Sequence, residues 1–349
     1  MKPPELERLL VTTYKHQMPT WIEGPPGIGK SQIHQQVAER LDLMWFPPLY
    51  PAMLDPTDVA GMPIPVTIGD TRRIERLLDD WLYPVFSSKQ PGVLLIDEVS
   101  QGAVAVQCAV APLLDSRRVG RHKLPEHITV CAAGNGRQHK AGAQNILTHI
   151  ISRTIKVNLE VDPLAWVDRA VKDEICMEVI SFVRTYPGNL HIFDPEKAFA
   201  AGTAYPNPRS WYKVSDLLRA GLDRDLESEV FKGTIGDGVT QLLLSHIMLV
   251  RDQVDIAAIM QGAPWKFPNK DKIGARFAFV IGVGACANAE TTQQVVAIAT
   301  ELYDRKEGEY AEVVLQTAIR AYDNMINHPA WRQLRNHPLG KSLIDATKL

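Results

Sequence analysis

The sequence predicts a three-layer αβα sandwich built on a parallel sheet, followed by a region made of helices. Three observations predict it. Strand-like and helix-like segments alternate through the first 160 residues, the order that gives a parallel sheet with crossover helices. Two of the strand-like segments, Val93–Ile96 and Ile128–Ala133, are unbroken apolar runs, as suits central strands covered on both faces. After Val161 the apolar residues recur at helical spacing instead.

Taken in order, the expected strands are Thr20–Glu23, Met44–Leu49, Val93–Ile96, Ile128–Ala133 and Thr154–Leu159. Between the first two, Ile33, Val37 and Leu41 mark a helix over Gln32–Leu41. Beyond the last strand the spacing predicts helices at Leu164–Ala170, Ile175–Tyr186, Ser210–Ala220 and Val239–Val250. Two more follow: Thr292–Tyr303, with Val295, Ile298, Ala299 and Leu302 on one stripe, and Tyr310–Ile326, with Val314, Ala318, Ala321 and Met325. Such stripes are core faces. No internal repeat or low-complexity segment is present.

Composition narrows the class. The 349 residues suffice for two domains, and 45% hydrophobic with 22% charged residues is ordinary for a globular protein. A net charge of −2 gives no overall electrostatic footprint for nucleic acid or an anionic membrane. Cysteines at 108, 131, 176 and 286 lack C-x-x-C pairing, which argues against a disulfide framework or zinc site and for reduced, mostly buried thiols. The longest apolar stretch, Phe277–Ala287, is too short to cross a bilayer, and no leader-like apolar segment opens the chain. A soluble cytoplasmic protein without membrane partners is therefore expected.

The chemistry begins at Gly24-Pro-Pro-Gly-Ile-Gly-Lys-Ser31, a complete G-x-x-x-x-G-K-[ST] loop between an expected strand and an expected helix. Glycines let backbone N–H groups surround phosphate oxygens, and the helix that follows presents its positive end to them. The expected ligand is ATP, held by Gly24, Pro25, Pro26, Gly27, Ile28, Gly29, Lys30, Ser31 and Gln32. Lys30 would reach the β- and γ-phosphates, and the Ser31 hydroxyl would ligate Mg2+. Gly92-Val-Leu-Leu-Ile-Asp-Glu98 is an apolar strand ending in two acids. Asp97 would hold the Mg2+ and Glu98 would orient and polarise the attacking water. A third strand, Ile128–Ala133, runs into Gly134-Asn135, whose amide is placed to help position that water.

The order of these motifs resembles that of AAA+ ATPases of the MoxR/dynein-related, helix-2-insert branch. The matching stretches are Gly24–Ser31 (Walker A), Leu94–Glu98 (Walker B), Ala132-Ala-Gly-Asn135 (sensor 1), Ile151-Ser-Arg153 (the arginine-finger segment) and Pro206-Asn-Pro-Arg-Ser-Trp211 (sensor 2). Leu54-Asp-Pro-Thr-Asp-Val-Ala-Gly-Met-Pro63 and Leu114-Asp-Ser-Arg-Arg-Val-Gly120 also look like this branch, and the likeness extends over roughly residues 18 to 220. It implies a P-loop nucleotide-binding domain at 1–160, an α-helical lid at 161–250 and a helical C-terminal extension at 251–349. It also implies Mg-dependent ATP hydrolysis in a homo-oligomeric ring, taken as a hexamer. Arg209 would reach the phosphates of its own subunit, and Arg153 the site of the neighbouring one. Arg117, Arg118 and Arg121 are rivals for that second role, because Thr154 follows Arg153 where the family usually has Phe.

Two segments read as insertions. Ile64–Ile74 forms two β-prone arms around Gly69-Asp70, and related proteins carry a hairpin there that faces the ring's pore. Arg117–Pro125 resembles their hairpin ahead of the sensor 1 strand. The leading expectation is a chaperone-like motor that remodels a separate protein partner, which in MoxR-like systems often carries a von Willebrand factor A-type domain. A DNA-directed motor or loader is the first alternative, marked by salt-sensitive stimulation by DNA. A nucleotide-gated scaffold with little turnover is the second, disfavoured by the intact Asp97-Glu98 pair.

Overall fold

The computed structural model of the protein describes residues 1–119, 122–136, 148–194, 202–253, 256–334 and 337–340. Met1–Val161 with the described residues of Phe193–Gly202 forms one compact unit, and Asp162–Ile192 with the described residues from Thr203 onward forms a second.

The first unit is built on a five-stranded parallel sheet of β1 (Thr20–Glu23), β2 (Met44–Trp45), β5 (Gly92–Ile96), β8 (Ile128–Gly134) and β9 (Ile155–Asn158). Their order is β2-β5-β8-β1-β9. Alternate residues along each strand point to opposite faces. Trp21, Leu94, Ile96, Val130 and Ala132 therefore enter one core with Val106, Val110 and Leu113 of the helix Val104–Leu114. Ile22, Val93, Leu95, Cys131 and Ala133 enter the other, with Leu6 and Leu10 of α1 (Pro3–Lys15) and Ile33 and Val37 of α2 (Lys30–Arg40). All five residues of β5 are buried, and each large aliphatic side chain so placed contributes about 1.5–3 kcal/mol of transfer free energy. The expected sandwich is thus present.

Three details differ from the sequence reading. β2 spans two residues rather than six, because Pro47 and Pro48 have no N–H for the ladder. The chain still follows β5, with Phe46 N donating to Val93 O (3.1 Å) and Leu49 N to Leu95 O (2.8 Å). The helix expected to run to Ile326 ends at Ala321 and gives way to a 3-10 turn, Asp323–Asn327. Of the four thiols only Cys131 is fully buried and Cys108 is exposed, so the burial expected for most of them does not hold.

Two small antiparallel hairpins leave the sheet. β3 (Met62–Ile68) and β4 (Thr71–Leu77) are joined by Gly69-Asp70 alone. Gly69 has φ +59° while Asp70 does not enter positive φ, which is the requirement of a type II′ turn and favours Gly in the first position. The second hairpin pairs β6 (Arg118–Val119) with β7 (His122–Lys123).

The second unit is helical. The helix Pro163–Lys172, capped by the Asp162 carboxylate, is followed by the helices Met177–Thr185, Pro208–Arg219, Arg224–Ile235, Asp237–Gln253, Ile273–Ala285, Thr292–Asp304 and Gly308–Ala321. Ile273–Ala285 lies at its centre, and two glycines set its close contacts. A Cβ on Gly282 would fall 2.5 Å from Met177 Sδ, and one on Gly284 2.6 Å from Thr317 Cβ. Arg276 on the same helix is buried between Phe267 and Tyr310, 4.4 and 4.3 Å from their ring centres, and pairs with Glu307. Among the described residues no helix is long and apolar enough to cross a membrane.

Candidate active site

The phosphate loop links β1 to α2 across the C-terminal edge of the sheet. Gly27 and Gly29 take φ of +78° and +92°, conformations that would strain any residue with a Cβ. Gly29 is the N-cap of α2 and makes no side-chain cap, and a helix start of this kind favours an anion. Gly24 is required for space: a Cβ there would meet Ile28 Cδ1 at 2.7 Å and Leu159 O at 3.0 Å.

Six side chains from two strand ends, the phosphate loop and the turn after β5 converge here. Lys30, only 7% exposed, donates to Gly24 O (3.0 Å), Pro25 O (2.9 Å) and Asn135 Oδ1 (2.8 Å). The Ser31 hydroxyl donates to Asp97 Oδ2. The other Asp97 oxygen accepts from Glu98 N at 2.8 Å, and Asp97 N donates to Leu49 O at 2.7 Å, which fixes the carboxylate at the strand end. Glu98 adopts a left-handed conformation, φ 55° and ψ 35°, that is uncommon for a residue with a side chain and turns its carboxylate out of the strand direction. Asn135 Nδ2 donates to that carboxylate at 3.3 Å, and so does Gln101 Nε2 from the turn that follows. Lys30, Asn135, Glu98 and Gln101 thus form one chain of hydrogen bonds, and Ser31 with Asp97 a second beside it.

The donor set fits a magnesium nucleotide. A buried ammonium that donates to two loop carbonyls and an amide oxygen lies at a helix start without a side-chain cap, which is a phosphate environment. A hydroxyl and a carboxylate oxygen in mutual contact are hard oxygen ligands suited to Mg2+. Of the predicted residues, Lys30, Ser31, Asp97, Glu98 and Asn135 are brought together, with Gly24 through Gly29 and Gln32 forming the loop and its helix start.

The arginines are placed differently. Arg153 follows the short helix Thr148–Ile151 and donates through Nε to Asp115 Oδ2 at 2.8 Å. Arg209 is an exposed residue of the first turn of Pro208–Arg219, in the second unit, on a helix capped by Asn207 and Ser210. Arg117 donates to the carbonyls of Pro125 (2.7 Å), Ile128 (2.7 Å) and Glu126 (3.4 Å). Burial among these groups lowers its pKa, and a guanidinium so engaged braces its own loop. Arg118 is exposed on β6, and Arg121 lies outside the described residues.

Sequence reasoning missed Gln101 and Asp115. Gln101 stands three residues after Glu98 on a 3-10 turn, a spacing from which it can reach back. It also passed over Glu23, which pairs with Lys156 at 2.8 Å and leaves no room for a Cβ at Gly136, whose nearest approach would be 2.6 Å from Glu23 Oε1.

Comparison with known proteins bears on the same segment. Residues 19–163 match the family model of the AAA domain, dynein-related subfamily, and this supports an AAA+ ATPase domain that binds nucleotide. Among solved structures, a provisionally assigned ATPase from Cytophaga hutchinsonii is similar at 17% identity and a TM-score of 0.34, covering 62% of this chain and 73% of that one. A RuvB variant from Thermotoga maritima is similar at 13% identity and a TM-score of 0.36, covering 93% and 86%. No curated protein sequence matches the chain.

Proposed function

We propose that this is an ATP-hydrolysing motor of the MoxR type that works as a homo-oligomeric ring on a separate protein partner. The observation that carries the reading is the hydrogen-bond chain from Lys30 through Asn135 to Glu98, because it links a phosphate-binding cation to a carboxylate able to act on water. Lys30 would bind the β- and γ-phosphates in place of the loop carbonyls it now holds. Ser31 and Asp97 would hold Mg2+, which when bound neutralises charge on the phosphates. Glu98 would orient the attacking water and accept its proton, and Asn135 would keep the water and the carboxylate in register. Arg153 would stabilise charge in the neighbouring subunit's site and Arg209 in its own. Residues 161–250 would serve as the lid that turns with nucleotide state, and 251–349 as an extension of it. A partner with a von Willebrand factor A-type domain suits this branch.

Exchange of Glu98 for Gln provides the test, since it keeps size and hydrogen bonding but removes the base. Steady-state turnover should fall by about 10²-fold or more while titration of a fluorescent ATP analogue gives an unchanged Kd. Turnover at the normal rate would remove Glu98 from its role. Capture of partners by the ATP-bound Glu98→Gln protein then separates a protein client from DNA.

A further inference from the structure

Asp115 stands in a place that helix stability does not explain. It is the C-cap of the helix Val104–Leu114, where a carboxylate meets the negative end of the helix dipole. The corner around it is nevertheless firmly built. Ser116 Oγ donates back to Pro112 O at 3.1 Å, and Arg117, at φ 55°, is tied to three carbonyls of the strand-leading segment. The acid on this corner meets Arg153, whose Nε lies 2.8 Å from Asp115 Oδ2. Arg153 is itself on a braced turn, with its N–H donating to Ile150 O at 3.2 Å and Thr154 Oγ1 donating to the same carbonyl at 3.1 Å.

We propose that Asp115 is the positioning residue for Arg153, fixing the direction in which its guanidinium leaves the subunit. This rests on the reading of Arg153 as the arginine that acts on the neighbouring site. Contact at Nε, the nitrogen nearest the stem, sets the plane of the guanidinium group. The side chains are 34% and 56% exposed, and ion pairs this open are weak. Asp115 therefore orients Arg153 and does not lock it away from a phosphate that carries more charge. The rival Arg117 has its donors directed into its own loop.

The test compares Asp115→Asn, Arg153→Ala and the double variant in the assembled protein. Asp115→Asn should lower kcat about fivefold, the equivalent of about 1 kcal/mol, with KM for ATP unchanged. Arg153→Ala should lower it by about 10³-fold, and the double variant should match Arg153→Ala. Mixing Asp115→Asn with Glu98→Gln subunits should raise turnover per Asp115→Asn subunit, because the neighbour supplies a correctly held Arg153. Without turnover, oligomer formation driven by ADP and aluminium fluoride, followed by sedimentation, should weaken in Asp115→Asn while the Tm of the nucleotide-free protein stays unchanged. A normal kcat in Asp115→Asn beside a lost one in Arg153→Ala overturns the positioning role alone. A defect that mixing does not repair overturns it too, as damage confined to its own subunit. Normal turnover in Arg153→Ala overturns the underlying reading of that arginine, and the inference with it.

Discussion

Lys30 shows how much one side chain does in this site. It is buried, and its ammonium satisfies two loop carbonyls and the Asn135 amide at once. Lys30→Ala should therefore act twice. Loss of a charge-assisted contact of about 1.5–3 kcal/mol should weaken ATP analogue binding by at least tenfold, and unpaired acceptors at Gly24 and Asn135 should lower unfolding stability by a further 1–3 kcal/mol or so. Fluorescence titration and urea unfolding read the two effects separately. At this scale the sequence was highly legible: Gly24–Ser31, Asp97, Glu98 and Asn135 were visible because fixed spacings and strand ends carry the chemistry. Gln101 and Asp115 were not, because their roles come from contacts across turns and between elements, which no spacing rule encodes.

Among the elements, the β3–β4 hairpin is the one whose form follows most directly from its residues. Gly69 supplies the single positive φ of a II′ turn, and Pro63 and Pro65 share one face of β3. Lacking N–H groups, they must direct their nitrogens to the outer edge of the hairpin, where they block pairing by another strand. Ile68, Ile74, Met62 and Leu77 are all more than half exposed, so the hairpin contributes little to the core of its unit. Excising residues 63–76 and joining Met62 to Leu77, which are cross-strand partners, should shift Tm by no more than a few degrees. Basal ATP turnover should persist, and any stimulation by a partner protein should be lost; thermal melts and stimulated turnover check this. β2 teaches the opposite lesson: its apolar run suggested six strand residues, and Pro47-Pro48 cut the ladder to two. α1 went unpredicted although Leu6, Leu10 and Tyr14 are spaced as a helix face, because its value lies in covering a sheet face that assembles later from distant strands.

Over the whole molecule, each compact unit buries a neutral histidine. His34 accepts from or donates to Tyr14 Oη at 2.6 Å, its Nε2 is buried without a partner, and burial pushes its pKa down to about 3. His246 is paired with Ser181 at 2.7 Å and is lowered to about 4 by burial. Since both titrate near 6.5 when unfolded, the unfolded chain binds more protons below that value, and stability falls as pH drops from about 6.5 towards 4. Each histidine adds a slope of up to about 1.4 kcal/mol per pH unit, and His34→Asn should flatten the curve for the first unit between pH 6.5 and 5.5, as urea midpoints would show. Taken alone, the sequence determined the α/β class, the strand carrying each polar residue and the nucleotide loop, since periodicity, apolar runs and glycine spacing are local properties. Tertiary structure decided what meets what. Parallel strands distant in sequence bring Lys30, Asn135 and Glu98 into one hydrogen-bond chain, and two separate turns set Arg153 against Asp115. Such contacts depend on how distant segments close together, and the physics of any single segment leaves that open.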